Sequence, residues 1–275
     1  MSISAPRYTS GPVPRLSRDS RLMAIASREF LHRAHGTVLA PVTLTFMAVV
    51  LTTVFEVFFA SIIGTVTSGT FAGAVSSPVW PYLMLIVTAT VGAGSLAEDV
   101  GSRAITLYLS RPISLLDYLG AKTVACGSWL LIAAVGPGLL AVGITAALGY
   151  ESVAVALEAA GGFLAVGLVT AVFFTGLVLA LSSLTNRALY AGVTIFGLIL
   201  SVNIGASVVA GISGNPRVAY ADPVSNCLAV AHAAFSVSGS SSLDPGTSAV
   251  ILLGSGVALW AFAAWKLRGV EVVAE

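Results

Sequence analysis

The chain has 275 residues; 57% are hydrophobic, only 9% are charged, and the formal net charge is +1. A soluble domain carries about 25% charged residues, so a soluble fold is excluded. The near-zero net charge offers nothing to nucleic acid. The apolar residues come in blocks long enough to cross a bilayer, which takes about 20 residues per helix, and the chain reads as an all-α polytopic membrane protein.

Residues 1–20 are rich in Ser, Pro, Gly and Arg, and that composition predicts disorder. The polar, Arg-rich stretch of the first 36 residues is too long and too polar for a typical signal peptide, and the apolar run that follows shows no small-residue cleavage site. Over residues 21–36 a short amphipathic helix is expected. Leu22, Ile25, Ala26 and Phe30 line one side, and Arg21, Arg28, His32 and Arg33 the other. A basic helix of this kind lies in the membrane interface.

Six spans follow, within residues 37–268. They are expected at about Val38–Ile63, Val79–Leu96, Thr123–Leu148, Gly161–Leu181, Ala188–Ile212 and Thr247–Trp265. Gly136, Pro137 and Gly138 fall mid-span in the third and predict a kink there. The glycines of the fourth are read as close-packing positions. A tight turn, SSLTNR, separates the fourth from the fifth. Residues 269–275 form a tail.

The segment 96–122 between the second and third spans is a polar island in an apolar chain. It holds Glu98, Asp99, Arg103, Arg111, Asp117 and Lys122. Leu96, Val100, Ala104 and Leu107 share one helical face, and Asp99 precedes Arg103 by four, the favourable order for an ion pair. Arg111 stands before Pro112, which disfavours helix there. Ser114 stands three before Asp117, a capping spacing that starts the next helix. The expectation is helix, break, helix at the membrane surface, a docking surface rather than a passive solvated loop.

The loop over 213–246 contains Asp222-Pro223, an N-cap followed by proline at the first helical position. Val224, Leu228, Ala231 and Phe235 then fit one face of a short helix on the opposite membrane surface. Of the thirteen Lys and Arg, all but Arg217 fall on the side of the termini. The positive-inside rule therefore predicts cytoplasmic N- and C-termini and a cytoplasmic island. Cys126 and Cys227 lie toward opposite sides and are not expected to form a disulfide.

No phosphate-binding loop, paired zinc ligands or nucleophile elbow occurs, so catalysis by this chain, a cofactor and a metal site are not expected. Glu56 stands as the one acid inside an expected span. A charge at bilayer depth costs about 3 kcal/mol on insertion scales, so it must face protein, water or the interface. It is a candidate for a substrate pathway or an ion site. Asn203, in the fifth span, is the second pathway candidate, although an interhelical hydrogen bond suits it better.

The island resembles that of permease subunits of type-2 ABC transporters. An acidic pair (Glu98, Asp99), then Leu109 to Ser114, then Gly120 and Lys122 leading into a span carry the resemblance, together with Leu181 to Arg187 and the Arg28-Glu29 pair. Gly101-Ser102 stands where the family usually has Gly-Thr. The resemblance implies a plasma-membrane, multi-pass permease, an exporter, that forms a homodimer or heterodimer and pairs with separate ATP-binding subunits. It implies an N-terminal elbow helix and a coupling helix near 96–109. Glu98, Asp99, Arg103 and Arg111 would face the ATPase, which would bind the ATP. A self-contained channel or secondary transporter using Glu56 is the alternative. Two interrupted spans in corresponding halves would mark such a transporter, and only the 136–138 interruption is strong. A third possibility is a scaffold relaying motion to an outer partner.

Overall fold

The computed structural model describes residues 18–34, 38–102, 114–237 and 242–271. Among them the chain is helical, with turns and no strand. In chain order the helices are α1 (Arg18–Ala34), α2 (Leu39–Ile63), the single turn α3 (Gly73–Ser76), α4 (Val79–Gly101), α5 (Leu115–Ala147), α6 (Val153–Ser182), α7 (Ala188–Ser213), α8 (Pro223–Ala234) and α9 (Pro245–Glu271). Six of them, α2, α4, α5, α6, α7 and α9, are long and apolar enough to cross a membrane. The bundle has a basal end, where α2 begins and α9 finishes, and a distal end, which carries α3 and α8.

Helix ends follow local chemistry. Ser114 caps α5, its hydroxyl accepting from the Asp117 amide at 3.1 Å, so the third span starts eight residues before Thr123. Ser152 caps α6 in the same way. The fourth span therefore begins at Val153 rather than Gly161 and takes Glu158 into a membrane-length helix, so Glu56 is not the one acid in a span. Ser68 Oγ donates to Glu158 Oε1 at 2.8 Å. At the distal end Asp222 accepts from the amides of Val224 and Ser225, with Pro223 at the first position of α8. Val224, Ala231 and Phe235 are buried, so α8 packs into the bundle with its expected face.

The third span does not break at its proline. Helix α5 runs unbroken through Pro137, and the place of a Cβ on Gly138 is taken by the Phe163 ring. Several buried threonines in the spans return their hydroxyls to the carbonyl one turn back, as Thr88 does to Met84 and Thr170 to Val166, whereas the Thr53 hydroxyl is buried without a partner among the described residues. In a medium without water, that pairing removes a donor that would otherwise be unsatisfied.

Burial is uneven. Of the most apolar stretch of α6, 72% is buried, against 17% for α2 and for α7. Helix α6 is thus the centre of the bundle, packed by α4, α5 and α9, while α2 and α7 present most of their surface outward. Both cysteines are free and buried.

Candidate functional site

The largest concentration of buried charge lies at the basal end, where three segments distant in sequence meet. Lys122, about two turns into α5, is only 4% exposed. Its ammonium lies 3.0 Å from Glu29 Oε2 of α1 and 2.8 Å from Asp99 Oδ2 near the end of α4. Arg33, one turn on from Glu29, places Nη2 2.6 Å and Nε 3.0 Å from Glu29 Oε1, and its Nη1 donates to the carbonyl of Val91 in α4. The Tyr118 hydroxyl donates to Asp99 Oδ2. Two cations thus face two carboxylates, and every link but one joins different helices.

Apolar contact backs the ion pairs. Phe30 of α1 stacks on Trp129 of α5 with ring centroids 4.7 Å apart, and Trp129 Nε1 donates to the Phe30 carbonyl at 3.2 Å. Ala26 is buried and Phe30 half-buried, while Arg28 and His32 face outward. The amphipathic reading of this helix holds for those residues, with Arg33 the exception: it turns inward. Burial pushes the Glu29 carboxyl upward, but Lys122 and Arg33 more than offset this and hold it below the ordinary carboxylate range.

Such a cluster is a clamp. Removing one partner of a buried pair leaves an uncompensated charge, which costs about 3–5 kcal/mol. The clamp joins α1 to the end of α4 and the start of α5.

The other candidate residues divide as follows. Glu98 is exposed, with its carbonyl accepting from the Ser102 amide and hydroxyl. Asp99 is turned inward by Lys122 and Tyr118 instead of facing outward with Glu98. Arg103 and Arg111, and with them the Asp99–Arg103 pair and the break at Pro112, lie outside the described residues. Glu56 rests against Gly73 of α3, and its Oε2 is buried without a hydrogen bond. Asn203 accepts from the Tyr82 hydroxyl at 2.9 Å and donates to Asp222 Oδ2 at 2.8 Å, the interhelical bond that suited it in the sequence. Glu56 and Asn203 share no hydrogen-bond partner.

Sequence reading set Arg33 on the polar face as a surface cation, and it placed Lys122 in the polar island without a partner. The one signal that could have found Lys122 is its position, a lysine followed at once by the long apolar run of α5. Among the described residues no group of three or more His, Cys, Asp or Glu is placed to hold a metal. No protein-family model matches the chain, and no curated protein matches it.

Proposed function

We propose that this chain is the membrane permease subunit of an ATP-driven ABC transporter of the type-2 class, working as an exporter. In this reading α1 is the elbow helix and the segment after α4 is the coupling helix, held in the cytoplasm beside both termini. The single observation that carries the reading is the Lys122 clamp, which ties the helix before the first span to the end of the second and the start of the third. A push from an ATPase on residues 103–113 would enter α4 and α5 together and carry α1 along. Exposed Glu98 is the acidic residue free to meet the partner; Asp99 serves the clamp.

The test is co-expression with candidate ATP-binding subunits and purification through a tag on this chain. An ATPase should co-purify, and Glu98→Arg should abolish ATP-dependent transport while the protein still reaches the membrane. If no ATPase co-purifies and Glu98→Arg leaves transport unchanged, the proposal is wrong. A cysteine at Arg103 should react with impermeant thiol reagents only from the cytoplasmic side.

The buried, unpartnered Oε2 of Glu56 supports a second reading, a self-contained channel or secondary transporter. Liposomes holding this chain alone separate the two: transport without ATPase, lost in Glu56→Gln, would favour the second.

A further inference from the structure

Helix α6 forms the floor of a lateral groove whose walls are α5 and α9. The groove encloses about 380 Å³, and Gly127, Leu131, Leu168, Val172, Val257 and Trp260 are among the residues that line it. Its depth comes from missing side chains. Gly176 and Gly256 bring α6 and α9 into backbone contact, since a Cβ on Gly176 would lie 2.1 Å from the Gly256 carbonyl oxygen. Trp260 lines the basal part of the groove, and its Nε1 donates to Thr123 Oγ1 at 2.9 Å. Thr123 to Leu131 spans about 12 Å at 1.5 Å per residue, in the basal half of the bundle.

The volume matches small-ligand clefts of about 300–1,000 Å³, but the lining contains no polar side-chain atom buried without a partner. No charged side chain lines it among the described residues, and the threonines Thr123 and Thr175 are its only hydroxyls. A helix of the same length, about 10 Å across, occupies roughly 900 Å³, more than the groove holds. A hydrocarbon chain, which needs no hydrogen-bond partner, suits this mostly apolar lining. Arg268 stands eleven residues, three turns, beyond Val257 and so on the same face of α9, about 17 Å nearer the basal surface. It is exposed and in no ion pair among the described residues.

We propose that this groove is a binding site for one acyl chain of an anionic phospholipid from the basal leaflet, with the lipid phosphate paired to Arg268. The site is independent of the transport reading and would persist if that reading failed.

The test uses the full chain with Trp265→Phe, reconstituted in phosphatidylcholine vesicles holding a minor fraction of lipid with brominated acyl chains. It takes as the Trp260 signal the part of the quenching that a further Trp260→Phe removes, because Trp80 and Trp129 also fluoresce. Brominated phosphatidylglycerol should quench about fivefold more effectively than brominated phosphatidylcholine, the preference one cation confers near a membrane surface. Arg268→Gln should reduce phosphatidylglycerol to the phosphatidylcholine level. Gly127→Leu, whose Cβ has ordinary van der Waals room beside Thr175, should fill the groove and abolish the headgroup preference. Gly254→Leu, which projects into open space, should change nothing. Equal quenching by the two lipids in the unmutated groove, or a preference that survives Arg268→Gln, overturns the proposal; the Arg268 arm stands if Gly127→Leu fails to fold. A disulfide between copies through Val257→Cys that shields Trp260 would give the groove to a second chain and also overturn it.

Discussion

The two ends of the bundle solve the same problem differently. Each buries carboxylates among helices, but at the basal end Glu29 and Asp99 are answered by the formal charges of Lys122 and Arg33. At the distal end Asp222, only 2% exposed, is answered by neutral donors: two backbone amides, the Ser225 hydroxyl and the Asn203 amide. The distal carboxylate fixes one helix start and one interhelical contact. The basal charges hold three segments together, and each depends on the others. Loss of one basal partner strands a charge, whereas loss of one distal donor leaves a carboxylate with three others.

That contrast can be broken most severely at Lys122. Lys122→Met leaves Asp99 with no cation among the described residues and Glu29 with Arg33 alone, and a loss of about 3–5 kcal/mol is expected, read as a lower thermal midpoint in detergent with early proteolysis of α1. A midpoint unchanged from the parent would show that the clamp contributes nothing.

Acid probes the same contact without mutation. The Glu29 carboxyl is held below its ordinary value of 4.5 in the folded protein. Its contribution to α1 docking is therefore complete above that ordinary value and is lost as pH falls through the lowered one. Proteolysis of α1 should be flat from neutral pH down to the ordinary carboxylate range and should rise only below it. In Glu29→Gln that acid-dependent rise should be smaller.

At the distal end Asp222→Ala removes the cap of α8, with an expected loss of about 1–2 kcal/mol. Cys227 is fully buried in α8, so its reactivity with a small thiol reagent reports local opening. A rise of about tenfold follows from a loss of 1.4 kcal/mol. The smallest effect is expected from Tyr82→Phe, which removes one neutral hydrogen bond worth about 1 kcal/mol and should raise Cys227 labelling by less than Asp222→Ala does. If Tyr82→Phe proved as damaging as Lys122→Met, the two ends would not differ in the way described.

How much of this could be read from the sequence depended on how far apart the interacting residues lie. The six spans, the Ser114 and Asp222 caps and the buried face of α8 rest on contacts within a turn or two, so periodicity and spacing found them. The Ser114 cap gave the start of α5, but the early start of α6 was missed because a bilayer-length window stops where apolarity ends, whereas the helix capped by Ser152 continues through Glu158. Asp99 was assigned to Arg103 because only that cation lies within local reach. The described structure pairs it with Lys122, 23 positions on, and pairs Lys122 with Glu29, 93 positions back. No periodic pattern encodes such a meeting. Glu56 stood out as a misplaced acid, but nothing in its neighbourhood announced that the bare backbone of Gly73 would be set against it.

Helix α5 has 33 residues, about 50 Å of unbroken rod, against a hydrocarbon layer of about 30 Å. Either it leans steeply or it overshoots the lipid, and its basal foot carries Tyr118 and Lys122. Residues 115–147 are helical throughout, so sideways travel at that foot has a continuous path to the far tip, beside the turn that holds Glu151. A mark placed on that turn would therefore register any step made at the opposite face of the membrane.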